Sequence, residues 1–331
     1  TMRAVVVREF GSLEAAALGE MPDPVPGADQ VLINIEATAA NFVDLLVIGG
    51  KYQFLPPRPF IPGKLPAGTV AAVGSSVQDL KVGDRVLTLA EEGGYAEKVA
   101  VPAKQCHRLP PSMSFVEAAA MALVYDTAWF ALRDRARLQP GETVLVLGAT
   151  GGVGLAALQL AKAFGAKVLA GISTAAKADL VLQSGADAVV DLSRSNLHDS
   201  LREQVHALTD GRGADVILDP LGGDIFDAAL RALAWRGRLV VIGFAAGRIP
   251  TIRANYLLLK NIEVSGLQVS DYRKRKPEQM AECLREVFSL YEAGRIKPAP
   301  TATYPLAQVQ DALREISDRK VRGRVVVTPQ G

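Results

Sequence analysis

Apolar and polar positions follow different rhythms in successive parts of the chain. From Met2 to about residue 108 the apolar residues come in short β-type runs, MRAVVVREF, QVLINIEATAA, GTVAAVG, DRVLTLA and AEKVAVP. Proline and glycine clusters at 22–27, 56–68, 82–84 and 92–94 separate them. Short runs with such punctuation predict a compact, mostly β domain. The stretch from Gly49 to Gly68 interrupts it with five prolines and three aromatic residues, Tyr52, Phe54 and Phe60. Irregular stretches of this length are functional or disordered, and the aromatic residues favour the functional option.

From Ser114 to Leu138 the period turns helical, with Phe115, Ala118, Ala119, Ala122 and Leu123 and then Tyr125, Trp129, Leu132 and Ala136 on the apolar stripe. Asp126-Thr127 predicts a break between two helices. Strands predicted at 144–147, 167–172, 188–191, 215–219, 238–243 and 262–267 then alternate with helices, the mark of a doubly wound parallel sheet. An amphipathic helix over Met280–Ala293, a helix around Leu306–Ile316 and a β-type ending from Gly323 follow. Since the sheet is complete before them, the last residues are expected to return to the first domain. The fold class is α/β, a Rossmann sheet beside a mostly β domain, with boundaries at 1–123 completed by about 295–331, and 124–294.

Residues 141–166, GETVLVLGATGGVGLAALQLAKAFGA, carry the clearest chemistry. Val144 to Leu147 read as a strand buried on both faces. Gly148, Gly151, Gly152 and Gly154 let the backbone turn sharply and approach a pyrophosphate without Cβ atoms in the way. Val153, Ala157, Leu160 and Phe164 then share one helix face, and Gly165 is a suitable end. The free N–H groups and positive end of that helix point at the turn, where an anion is best stabilised. Against the fingerprint G-x-G-x-x-G the turn reads Ala149-x-Gly151-x-x-Gly154, which makes Ala149, Gly151, Gly152, Val153 and Gly154 candidate cofactor contacts. The competing reading is a tight turn with no ligand.

The second strand, Lys167 to Ser173, ends without the acid that would accept from the ribose 2′-OH of NAD; Ser173, Thr174 and Lys177 follow. Two hydroxyls and a cation suit a 2′-phosphate, so NADP(H) is favoured over NAD(H). The alternative is that Ser173 caps the next helix and Lys177 is solvated.

Composition adds mainly exclusions. The 331 residues exceed one typical domain, and 49% hydrophobic with 22% charged residues is ordinary for a globular protein. A net charge of +2 argues against nucleic acid or a membrane surface as the main partner. The densest basic run, Arg273-Lys274-Arg275-Lys276, reads as a solvated surface stretch. Cys106 and Cys283 form no C-x-x-C pair, which argues against a disulfide framework or structural zinc and fits a reducing cytoplasm. Cys106 and His107 are adjacent on a strand and face opposite ways, so they make no nucleophile and base. No charged and apolar leader and no apolar window of about 18 residues is visible, so neither a signal segment nor a membrane span is expected.

AANFVDLLVIGGKY (39–52), PFIPG (59–63), VGSSVQDLKVGDRV (73–86), the glycine turn (148–166) and the AxKA run at 175–178 together carry a family resemblance. Over its whole length the chain resembles the medium-chain dehydrogenase/reductase superfamily, and within it the zinc-independent NADPH:quinone oxidoreductases related to ζ-crystallin. The resemblance implies a GroES-like N-terminal domain, a Rossmann domain, an active site in the cleft between them, and a homodimer joined edge to edge through the Rossmann sheets. It implies that Asn41 and Asp44 face the nicotinamide of NADPH, that Tyr52 lines the quinone pocket, and that Thr127 and Gly151 to Gly154 contact the cofactor. Ser173 and Lys177 match positions that hold the 2′-phosphate. Leu192 stands where some relatives add a tyrosine, with Arg194 as a substitute. Asp219-Pro220-Leu221 and Ile242-Gly243-Phe244 would flank the nicotinamide ribose, and Leu267 to Val269 would close the site.

Related alcohol dehydrogenases place a zinc-ligand cysteine at Asn41 and Gly-His-Glu at Gly63-Lys64-Leu65. The four-cysteine lobe is missing between Leu89 and Val101, and the chain has three histidines in all, so no metal is expected. The implied reaction is hydride transfer from NADPH to a quinone, with Tyr52 and Asn41 as candidate catalytic residues that stabilise the acceptor oxygen. Tyr52 as a purely packed side chain, with water supplying the proton, competes with this. An enoyl or enone reductase and a non-catalytic NADPH-binding protein are the alternative functions.

Overall fold

The computed structural model describes residues 1–320 and 323–331. β1 (Met2–Val7) pairs antiparallel with β2 (Ala16–Met21). In β3 (Gln30–Ala40) every second residue from Val31 to Ala37 is buried, the period of a strand covered on one face. It runs into α1 (Phe42–Ile48), and β4 (Ala67–Val73), β5 (Arg85–Thr88), β6 (Lys98–Pro102) and β7 (Cys106–Arg108) follow. After α2 (Phe115–Met121), α3 (Val124–Trp129) continues as a π-helical stretch to Arg135.

Alternation then sets in: β8 (Thr143–Leu147), α4 (Gly152–Ala163), β9 (Lys167–Ile172), α5 (Ala178–Gln183), β10 (Ala188–Asp191), α6 (Leu197–Leu208), β11 (Ala214–Asp219), α7 (Gly223–Leu230), β12 (Leu233–Val241), α8 (Ala254–Lys260) and β13 (Glu263–Gly266). The chain ends with α9 (Val269–Arg275), α10 (Pro277–Glu292), β14 (Thr301–Pro305), α11 (Val309–Ser317) and β15 (Arg324–Thr328). Two compact units result, Thr1–Leu123 with Pro298–Gly331, and Val124–Lys297.

In the first unit, the described residues form a seven-stranded sheet in the order β14-β15-β3-β4-β5-β7, with β6 also on β3. The last strand joins by antiparallel pairing of Val326 with Ala39, and β14 runs parallel beside it. Val5, Val7, Ile48, Phe60, Tyr95, Leu313, Val325 and Val327 share one apolar core.

In the second unit, the described residues form a six-stranded parallel sheet in the order β10-β9-β8-β11-β12-β13. β8 is buried throughout, as its uninterrupted apolar run requires. The strand order reverses between β8 and β11, and a ligand of such a sheet binds outside the C-terminal strand ends at that point.

Three local expectations are corrected. The helical stretch breaks at Ala122–Leu123 and not at Asp126-Thr127: Ala122 is extended and Leu123 takes φ +71°. Asp126 and Thr127 lie buried inside α3, where the Asp126 carboxylate accepts from the Thr127 N–H and from Arg273 Nη2, 2.8 Å away. The basic run is therefore not all solvated: Lys274, Arg275 and Lys276 are exposed, but Arg273 is buried against Asp126. Tyr272 donates to Asp134 beside it, so α9 is fastened to the helix of 124–135 by polar bonds. The helix read from Met280 begins at Pro277, whose fixed φ and missing N–H suit a first helical position.

Arg273→Met would strand the Asp126 charge in the interior at about 3–5 kcal/mol. Arg275→Met loses only an exposed i,i+4 pair with Asp271, at about 0.3–0.5 kcal/mol. Thermal unfolding should show a large drop in melting temperature for the first and almost none for the second; equal shifts would contradict the assignment.

Candidate active site

β8 ends at Leu147, and the chain turns at Gly148 with φ +60°. The Ala149 N–H donates to the Gly171 carbonyl of β9, and the Gly151 N–H donates to the Gly148 carbonyl. α4 then begins with Gly151 as its N-cap and no side-chain cap. A Cβ on Gly154 would lie 2.4 Å from the Gly148 carbonyl oxygen and 2.7 Å from the Ala149 Cα, so no other residue fits there. The place that needs left-handed freedom is Gly148, one residue before the Ala149 that occupies the first fingerprint position. Ala149 is fully buried and needs none. With no side-chain cap, the first-turn N–H groups of α4 fit the oxygens of a phosphate.

The other strand ends converge on this turn. Val146 of β8 lies in register beside Leu218 of β11. The Asp219 carbonyl accepts from the Ile242 N–H at 2.8 Å, and its carboxylate Oδ1 accepts from the N–H groups of Leu221 and Gly222 at 2.8 and 3.0 Å. Asp219 Oδ2 is buried without a partner, and burial pushes this carboxyl above its usual range. The Leu221 side chain lies 3.1 Å from where a Gly148 Cβ would stand, and Phe244 lies equally close to Gly222. Gly243 follows Ile242 in the same loop, the Leu267 N–H donates to the Val241 carbonyl, and Val269 opens α9. Leu221, Ile242, Gly243, Phe244, Leu267 and Val269 thus share the C-terminal sheet edge with the glycine turn.

Ser173 follows β9 and is exposed, and half-buried Lys177 closes the short turn before α5. No side-chain partner occupies either one among the described residues. Leu192, at the place where some relatives add a tyrosine, is buried against Gly171, and its N–H donates to the Ile172 carbonyl. A leucine there fills the sheet core. Arg194 is exposed and pairs with Asp191 at 3.6 Å, so its charge is partly answered. Thr127 is buried within α3.

The first unit carries a second polar cluster, where β3 passes into α1. Asn41 caps the helix with φ −129°. Asp44 Oδ2 accepts from the Asn41 N–H at 2.9 Å and from the Tyr95 hydroxyl at 2.7 Å. Asn41 Oδ1 accepts from Arg324 Nη2 at 2.8 Å, while Arg324 Nε donates to the Ala120 carbonyl. All four side chains are buried. Burial raises the Asp44 carboxyl, partly offset by its two donors, and raises the Tyr95 hydroxyl well above its usual range, reinforced by the Asp44 charge. The bonds resolved for Asp44 face inward and hold Asn41 and Tyr95.

Tyr52 lies half-buried, its ring 6.2 Å from that of Phe54 and 5.3 Å from the Lys64 ammonium, which is itself bonded to Glu91 Oε2 at 2.8 Å. Sequence reasoning missed Tyr95, Arg324 and Glu91 as partners here. The capping pattern Asn41-x-x-Asp44 was a usable local signal. Arg324 lies 283 positions from Asn41 and carries none. The Cys106 thiol, pushed up to about 12 by burial, is an unreactive side chain.

Because the folded-state pKa of Asp44 is raised, the folded protein holds that proton longer than the unfolded chain does. Its contribution to stability is therefore fully present below the ordinary value of 3.8 and is lost as pH rises from there through the raised value. Asp44→Asn keeps an acceptor and removes the titration. The variant should gain stability relative to wild type as pH climbs through that window in parallel urea titrations; a pH-independent difference would refute the buried assignment.

A family model described as alcohol dehydrogenase GroES-like domain matches residues 27–111, and one described as zinc-binding dehydrogenase matches residues 152–288. Quinone oxidoreductase-like protein 2 homolog of Nematostella vectensis is 41% identical over 304 residues, 91% of this chain and 82% of that protein. Quinone oxidoreductase-like protein 2 of Bos taurus is 40% identical over 308 residues, 93% and 87% of the two chains. The crystal structure of Escherichia coli quinone oxidoreductase complexed with NADPH superposes with a TM-score of 0.89 at 30% identity, over 99% of each chain. With the Rossmann sheet, the GroES-like unit and relatives aligned along nearly the whole length, the chain belongs to the quinone oxidoreductase family of the medium-chain dehydrogenase/reductase superfamily.

Proposed function

We propose that this protein is an NADPH-dependent oxidoreductase that reduces a quinone without a metal. The observation that carries the reading is the uncapped glycine turn of α4 at the same sheet edge as Ser173 and Lys177, which follow a second strand without an acid. The related E. coli enzyme binds NADPH. NADPH supplies a hydride from C4 of its nicotinamide. The turn from Gly148 to Gly154 holds the pyrophosphate, Ser173 and Lys177 hold the 2′-phosphate, and Leu221 and Phe244 wall the nicotinamide end. Arg324 takes the Asn41 carbonyl oxygen, which leaves the Asn41 Nδ2 group as the one able to donate to a carbonyl. Tyr52 is the second donor. Donors fixed in advance at a developing oxyanion are worth about 10²–10³ in rate each in favourable cases.

The donor set supports a metal-free reaction. An ammonium stands at Lys64 where zinc enzymes place histidine, and it is engaged by Glu91. Among the described residues no three His, Cys, Asp or Glu side chains cluster as a metal site would need. No single described helix is long and apolar enough to cross a membrane. The two unpaired cysteines accord with the reducing cytoplasm that forms part of this reading. A homodimer also belongs to it: β13 is one of the two edge strands of the parallel sheet, and the preceding α8 presents Leu258 and Leu259 at 77% and 72% exposure.

Lys177→Glu should weaken NADPH by about 10–100-fold, the value of one or two charge-assisted hydrogen bonds, and leave NADH nearly unchanged in fluorescence titrations. Equal losses would refute the phosphate assignment. In steady-state assays, NADPH oxidation should be rapid with 1,4-benzoquinone or 9,10-phenanthrenequinone and unchanged by a chelator. Turnover of crotonyl-CoA or simple enones alone would make the protein an enoyl or enone reductase, and binding without turnover would make it a non-catalytic NADPH protein. Light scattering should report a dimer that Leu258→Glu/Leu259→Glu converts to a monomer; a monomeric wild type would overturn the assembly.

A further inference from the structure

Residues 61–65 are held as a rigid ledge. The N–H groups of Gly93, Gly94 and Tyr95 donate to the carbonyls of Ile61, Gly63 and Pro62, and the Leu65 N–H donates to the Ala90 carbonyl at 2.7 Å. Gly63 takes φ +102°, and a Cβ on it would lie 2.7 Å from the Tyr95 nitrogen. Leu65 takes φ +56°, a region that a branched-chain residue enters only when its surroundings enforce it. Backbone strain of this kind concentrates where a side chain must be aimed. The side chain between Gly63 and the strained Leu65 is Lys64, 7% exposed, with its ammonium bonded to the Glu91 carboxylate at 2.8 Å and to the Glu91 carbonyl at 3.3 Å. The same ammonium stands 5.3 Å from the centroid of the Tyr52 ring, within the range of a cation–π contact.

We propose that Lys64 is the positioning residue for Tyr52: fixed by Glu91 on a strained ledge, its charge holds the Tyr52 ring in the orientation from which the hydroxyl meets the acceptor oxygen. This rests on the reading of Tyr52 as a donor to the quinone. Tyr52 itself stands on the long loop after α1, its ring packed on the apolar core of the first unit and beside Phe54, and the Lys64 ammonium adds a charge fixed to a rigid ledge next to that ring. The geometry also gives this chain a use for the residue that replaced a zinc-ligand histidine. A partly desolvated cation–π contact corresponds to about tenfold in rate if it acts only on the transition state.

Stopped-flow and steady-state rates of 1,4-benzoquinone reduction by saturating NADPH, for Lys64→Met, Lys64→Arg, Tyr52→Phe and the double variant Lys64→Met/Tyr52→Phe, test this. Lys64→Met should lower kcat about tenfold with KM and NADPH affinity unchanged, Lys64→Arg should restore most of the rate, and the double variant should be no slower than Tyr52→Phe. A Tyr52→Phe protein as fast as wild type would overturn the donor role of Tyr52, and the proposal with it, while leaving the NADPH assignment intact. A slow Tyr52→Phe protein combined with a full additional loss in the double variant, or no loss in Lys64→Met, would overturn the role of Lys64 alone. Should Lys64→Met not fold, Glu91→Gln, on a side chain 31% exposed, decides: its loss must vanish in the Tyr52→Phe background, and an additive loss refutes the proposal.

Discussion

A single added carbon on Gly154 would stand 2.4 Å from the Gly148 carbonyl oxygen. That close approach is the constraint on which the dinucleotide-binding unit depends. It brings the first turn of α4 directly against the end of β8, and the buried Ala156, Ala157 and Ala161 let the helix lie close to the sheet along its length. Once the helix N-terminus is fixed there, the free N–H groups and the positive end of its dipole are available without any side chain reaching in. The loop after β11 closes on the same place, because Asp219 takes up the N–H groups of Leu221 and Gly222 and so lays Leu221 across Gly148.

The other unit solves a different problem, holding charge in a β-rich core. Asp44, Tyr95, Asn41 and Arg324 are individually expensive to bury, and each finds its partner in another of the set. The chemical result concerns Asn41. Its carbonyl oxygen is committed to Arg324 of the C-terminal strand, so the amide is oriented as a donor. Lys64 likewise brings a charge already balanced by Glu91.

Features that rest on local pattern were readable from the residues. The apolar run of β8, the glycine turn, the helix stripe and the end of α4 at Gly165, which takes φ +86°, all express short-range preferences. Features that depend on distant partners were not. The helix break moved to Leu123 because a leucine at positive φ leaves no trace in propensity, while Asp126, which resembled a breaker, is held in the helix by an arginine 147 positions away. The same pairing hid Arg273 within a run that otherwise faces solvent. Asn41, Tyr52 and Asp44 were picked out from a family motif. Asp44 is 1% exposed with two donors on one oxygen, so in the structure it holds its neighbours. Leu192, which stands where some relatives add a tyrosine, packs in the core over Gly171.

In the proposed function, the Gly148–Gly154 turn and the end of β9 together select a dinucleotide with a 2′-phosphate. A crystal structure of the protein grown with NADPH measures this most directly. The pyrophosphate should lie on the N–H groups at the start of α4 and the 2′-phosphate within hydrogen-bond distance of Ser173 and Lys177. A pyrophosphate bound away from the turn, or a 2′-phosphate turned to solvent beyond the reach of Lys177, would contradict it.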